Sequence, residues 1–269
     1  MDRPEIIRAV RWDTYALLRW RHLLLITVLF VVIAFWNAYR VTPHGDAWDV
    51  VSLTFGGFVR TSVMDGMAWL LIQLLPLYYL GMFANEALTD HSVLLLMRIR
   101  SRARWWMAKI VTVLITTQAY FLWGFLVVIG LAHVLRPAVS DPHGLVLWGQ
   151  ESLDRLPPLL WMYMLQAVTA TAMATVLLTL SILWMRAHLP FLLVSLTNLV
   201  SLAVATRLPR LHPFVPGTQS MLALHEGVAT GTPGFTLSWS IAYNAVLWAL
   251  AFWLGYGLLA VRDIAGRQD

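Results

Sequence analysis

Six long apolar runs, none with a charged residue at its centre, dominate the chain: residues 23–39, 67–84, 110–135, 157–185, 188–206 and 239–261. Crossing the hydrocarbon core of a bilayer takes about 20 apolar residues, so runs of this length predict membrane spans. Composition agrees. The chain is 59% hydrophobic and 12% charged, against roughly 45–50% and 25% for a soluble domain. Its mean hydropathy is +0.69. A soluble enzyme and a nucleic-acid-binding protein are therefore excluded as defaults. The expected fold class is an all-α integral membrane protein with six transmembrane helices, in one transmembrane domain covering residues 1–269.

Eighteen Arg and one Lys, Lys109, supply the basic balance of +5. They sit beside the apolar runs. Thirteen fall in the N-terminus, the 85–109 connection, the 186–188 link and the C-terminus; the other six are Arg40, Arg60, Arg136, Arg155, Arg207 and Arg210. The positive-inside rule then places both termini in the cytoplasm, in a multi-pass protein of the cell membrane. More than 20 residues, five of them Arg, precede the first run without a small-residue cleavage site. That pattern predicts a retained span rather than a cleaved signal peptide. The absence of cysteine removes disulfides and thiolate chemistry.

Catalytic motifs are missing. No GxxxxGK[ST] phosphate loop, HExxH or GxSxG occurs, and no ionisable residue lies at a span centre. The chain is thus expected to be no enzyme and to hold no metal. His212, His225 and Glu226 share an outer loop but lack ligand spacing within a helix. Mid-span polarity is confined to uncharged groups: Gln73, Thr116, Thr117, Gln118, Gln166, Asn198, Asn244, and Thr171, Thr175 and Thr179 on one helical face. Such groups serve either as interhelical glue or as the wall of a path. Pro76 inside the second run frees a backbone carbonyl and predicts a kink. The 207–238 segment is broken by Pro209, Pro213, Pro216-Gly217 and Pro233-Gly234 around an apolar piece. It reads as a short re-entrant segment before span six or as a surface loop.

Two segments outside the spans are the most informative. Over residues 4–21, Ile6, Ile7, Val10, Thr14, Leu17 and Leu18 fall within about 120° at 100° per residue, with Arg8, Arg11 and Arg19 on the other side. An interfacial amphipathic helix is expected, with Asp13 and Arg21 blurring its apolar side. In the 2–3 connection, Glu86 and Asp90 come first, then the apolar run 93–97, then Arg98, Arg100, Arg102 and Arg104 with Trp105-Trp106. Acids before and bases after suit a short helix along the membrane surface. Its apolar stripe invites a partner protein, whereas the Arg and Trp alone would hold span three in the interface.

This pattern resembles an ABC-2 type transporter permease, the membrane subunit of an ATP-binding cassette exporter. The resemblance covers nearly the whole chain. Phe83-Ala84-Asn85-Glu86 ends span two, Leu94-Leu95-Leu96 follows, and Ser101-Arg102 stands seven residues before Lys109. Similar permeases run from an acidic residue through Gly-Thr and an apolar run to Pro-Ile-Ser-Arg and a Lys. Here Asp90-His91 and Ile99-Arg100 depart from that pattern. The resemblance implies an amphipathic elbow helix and a coupling helix between spans two and three that docks on a separate cytoplasmic ATP-binding subunit. It implies a second permease chain, with ATP and Mg held by the partner and no cofactor in this chain. Coupling residues would be Glu86, Asp90, Leu94, Arg98 and Arg102. The translocation path would be lined by Gln73, Pro76 and Asn198, for a lipid, hydrophobic drug or amphipathic peptide. The alternative is a non-transporting membrane scaffold or sensor that recruits its partner through the same connection.

Overall fold

The computed structural model describes residues 3–41, 47–57, 63–86, 88, 101–136, 158–226 and 234–261. Eight α-helices account for most of them: α1 (Arg3–Leu17), α2 (Trp20–Arg40), α3 (Ala47–Phe55), α4 (Val63–Glu86), α5 (Arg102–Leu135), α6 (Pro158–Trp184), α7 (His188–Arg207) and α8 (Leu237–Val261). Between α7 and α8 run three 3₁₀ turns, Pro209–Phe214, Gly217–Ser220 and Leu222–Leu224. Among the described residues there is no strand, only a single parallel bridge between His225 and Phe235. Six of the helices, α2 and α4 to α8, are long and apolar enough to cross a membrane. The protein therefore has the architecture of a multi-pass membrane protein.

Helix α6 is the axis of the bundle. Of its most apolar stretch 72% is buried inside the protein, against 22% for α8 and 28% for α7. A helix apolar all round must bury itself or face lipid, and α6 does the former by packing against α4, α5, α7 and α8. Its end is sharp. Met185 adopts φ 53°, the left-handed conformation that terminates a helix, and α7 begins at His188.

Two features differ from the sequence expectation. The connection between the first two spans contains α3, whose Val50, Val51 and Phe55 are buried. Phe55 stacks on Phe125 of α5 with ring centroids 3.7 Å apart, and Asn37 of α2 donates to Thr54 at 3.0 Å. Nine residues are too few to span a bilayer, so the hydropathy pattern hid this wedge inside a loop. The third span begins at Arg102 rather than at residue 110 and runs 34 residues. At ~1.5 Å per residue that is about 50 Å, well beyond a ~30 Å core.

The face of the bundle that carries the ends of α4, α6 and α8 also carries α1. The opposite face carries α3 and the 3₁₀ turns. There, Arg40 and Asp65 form a two-pronged ion pair between α2 and α4, its second contact 3.1 Å long. Arg136 caps the end of α2 through the carbonyls of Ala38 (3.0 Å) and Val41 (3.2 Å).

Candidate functional site

On the α1 face, Lys109 is almost completely buried and sets its ammonium 2.8 Å from the carboxylate of Asp13. The same nitrogen lies 4.4 Å from the ring of Phe83 on α4 and 5.6 Å from that of Trp105. A charge in this environment needs a counter-charge, since desolvation otherwise drives it to neutralise. Asp13 supplies it. The acid that blurs the apolar side of α1 in the sequence is the group that pins α1 to α5. A charge on the apolar stripe of an amphipathic helix, in a chain with one lysine, was the available signal.

The start of α5 is also locked to the end of α8. Arg102 donates to the carbonyl of Leu259 at 3.2 Å, where a helix end has carbonyls without intrahelical partners. Trp106 donates to the carbonyl of Phe252 at 3.1 Å. Gly255 permits this approach, because a Cβ there would stand 2.3 Å from the Trp106 ring. Trp105 and Trp106 are 1% and 0% exposed, so they face the protein interior instead of anchoring α5 in the interface.

Glu86 and Arg102 thus occupy the two ends of the 2–3 connection on one face: Glu86 closes α4 and Arg102 opens α5. Asp90, Leu94 and Arg98 lie outside the described residues. Beside Glu86 a cleft of about 340 Å³ opens between α4 and α7, lined by Tyr78, Gly81, Glu86, His188 and Phe191.

The residues expected to line a path are packed. Gln73 is buried and donates to Gln166 of α6, which in turn donates to the carbonyl of Phe55 at 2.8 Å. Pro76 leaves the carbonyl of Ile72 without its helical donor, and the Tyr120 hydroxyl of α5 fills that role at 3.1 Å. Asn198 is buried on α7 and donates to Val194 of its own helix at 3.1 Å. Gln73 and Asn198 are therefore engaged separately, and neither lines the cleft. Other mid-span groups link helices to α6: Thr117 with Thr171 at 2.7 Å, Asn244 to Thr169 at 3.0 Å, and Thr179 to the carbonyl of Ala251 at 2.9 Å. On α5 the buried hydroxyls of Thr112 and Thr116 have no partner among the described residues.

On the opposite face the 3₁₀ turns form a second polar cluster. Thr218, Gln219 and Ser220 are fully buried. Gln219 reaches back to the carbonyls of Pro213 (3.0 Å) and Val215 (3.2 Å), and Trp69 of α4 donates to Ser220 at 3.3 Å. Gly57, at φ +92°, lets the end of α3 approach Met221, whose Cβ would lie 2.7 Å from a side chain there. The Ser240 hydroxyl is 2.8 Å from both His225 Nε2 and Gln219 Oε1 and donates its one proton to one of them at a time. Burial pushes His225 down to about 4, against the hydrogen bonds to Met221 and Leu222 that favour the charged ring. Burial lowers His212 too, against its contacts with the Val204 and Ala205 carbonyls. The two histidines serve different carbonyls, and among the described residues no three of His, Asp and Glu converge.

A comparison with curated proteins finds none that matches this sequence. A family profile does match, from residue 24 to residue 265, which takes in most of α2 and the whole of the other five long helices. The chain belongs to DUF2705, a family of proteins of unknown function.

Proposed function

We propose that the protein is the membrane-spanning permease subunit of an ATP-driven ABC-2 type exporter, moving a hydrophobic or amphipathic substrate with ATP hydrolysed by a separate cytoplasmic subunit. One observation carries the reading: α1, the end of α4, the start of α5 and the end of α8 are tied together on one face through Asp13–Lys109, Phe83 and Arg102–Leu259. A push delivered to the 2–3 connection would meet a joined unit instead of a loose loop. Such a unit can bias a membrane domain between two packings. In this reading α1 is the elbow helix, the α1 face is cytoplasmic by its Arg excess, and the buried 3₁₀ turns are a re-entrant segment on the outer side. The cleft beside Glu86 is where a substrate would meet the lever. Thr112 and Thr116 are groups that a second packing would engage.

The test is a mild-detergent pull-down with identification of the bound subunits, followed by reconstitution. An ATPase is expected to co-purify with two permease chains. Charge reversal at Glu86 or Arg102 is expected to uncouple ATP hydrolysis from transport by at least about tenfold, a barrier change of ~1.4 kcal/mol. Transport by the purified chain alone would refute the reading. The closed packing around Gln73 and Asn198 favours a second reading, a non-transporting scaffold that recruits its partner through the same connection. Loss of transport in Asn198→Leu with the complex intact would argue against it.

A further inference from the structure

Helix α1 does not seal against α5 along its whole length. Beside the Asp13–Lys109 contact a groove of about 460 Å³ lies between the two helices. Its floor and walls are apolar: Ile6, Ile7 and Val10 from α1, Val111 and Ile115 from α5. Its rim is not, since Arg11 and Tyr15 stand there. Both are exposed on the helix side that also presents Arg8 and Trp12. Arg11 makes no ion pair among the described residues, and the Asp13 carboxylate on the same helix is engaged by Lys109. The rim therefore sets the exposed Arg11 guanidinium over an apolar slot. Ile7 and Ile115 are 65% and 41% exposed, so the slot opens sideways, on the flank of a membrane-spanning helix.

We propose that this groove is a binding site for one anionic phospholipid. The acyl chain lies between α1 and α5, and the phosphate sits on the Arg11 guanidinium with the Tyr15 hydroxyl as a further donor. The volume falls in the usual range of small-ligand pockets, roughly 300–1,000 Å³, and the pairing of apolar walls with a few placed polar groups is what such sites share. Arg is suited to a phosphate through its planar fork of donors. An interfacial helix gains affinity from both terms, buried apolar area and attraction to anionic headgroups. Because the groove abuts the Asp13–Lys109 contact, its occupant also braces α1 against α5. The site is independent of the transport reading: a scaffold would hold the same lipid.

The full chain, delipidated in detergent, is examined by native mass spectrometry with equal dioleoyl phosphatidylglycerol and dioleoyl phosphatidylcholine. One phosphatidylglycerol adduct is expected to be retained preferentially, and excess inorganic phosphate is expected to leave it in place. Arg11→Gln should lower the preference for phosphatidylglycerol about fivefold, the factor expected for one Arg at an anionic surface. Ile7→Trp and Ile115→Trp, which fill the slot from either side, should remove the adduct while circular dichroism and gel filtration stay unchanged. Arg210→Gln, on the opposite face, should change nothing. Equal retention of the two lipids, displacement by phosphate, or survival of the adduct in both filled variants would overturn the proposal. So would a dimer that the filled variants dissociate without altering lipid retention, which would make a second copy the occupant.

Discussion

Lys109 carries the largest single electrostatic commitment on the α1 face. Its side chain is 4% exposed and that of its partner Asp13 is 10% exposed. Removing one member of such a pair leaves the other buried and uncompensated, which typically costs about 3–5 kcal/mol, whereas replacing both by apolar groups is often neutral. Lys109→Met and Asp13→Leu are each expected to lower the thermal midpoint markedly, and the double variant to recover most of the loss. Fluorescence-detected gel filtration after heating measures this. If the double variant is as unstable as the sum of the two, the pair is not a closed electrostatic unit. In the sequence Lys109 reads as the last base of a loop, because its neighbours on α1 and α4 are distant along the chain.

At the scale of elements, α4 depends on a helix it is not continuous with. Pro76 withholds the donor that Ile72 needs, and Tyr120 restores it across the α4–α5 contact. Tyr120→Phe is expected to cost ~1–3 kcal/mol by leaving that carbonyl buried and unpaired. Pro76→Ala in the same background should return part of this by supplying an amide N–H. A double-mutant cycle on thermal midpoints checks the coupling, and additive effects would show that the tyrosine and the proline act independently. That the Ile72 carbonyl lacks its helical donor was legible from Pro76 alone; the Tyr120 hydroxyl that replaces it was not. The same holds for α3 and for the first two turns of α5. Their burial rests on Phe55 against Phe125, and on Trp106 against Gly255, contacts between residues 70 to about 150 positions apart.

At the scale of the molecule, α6 at the centre makes the bundle a polar-linked core wrapped by apolar helices. Its Gln166, Thr169 and Thr171 bind α4, α8 and α5 respectively. The absence of native cysteine makes sidedness directly measurable. Single cysteines at Arg8 and at Arg210 are expected to react from opposite sides of sealed vesicles, position 8 from the cytoplasmic side. Labelling of both from one side would refute the six-span topology, and exchange of the two sides would invert it.

The sequence by itself determined the number of spans, their approximate limits and the Arg asymmetry, because hydrophobic length and flanking charge are local properties that the bilayer reads directly. It also singled out the α1 segment and the 2–3 connection as unlike ordinary loops. Only the tertiary structure decided which polar groups are spent on packing. Gln73, Pro76 and Asn198 look alike in a hydropathy plot as breaks in an apolar run. In the fold, one binds α6, one is completed by Tyr120 and one turns back on its own helix. The physical reason is that a buried polar group must find a partner, and in a helical bundle that partner is set by which helices become neighbours, not by the spacing of residues along one of them.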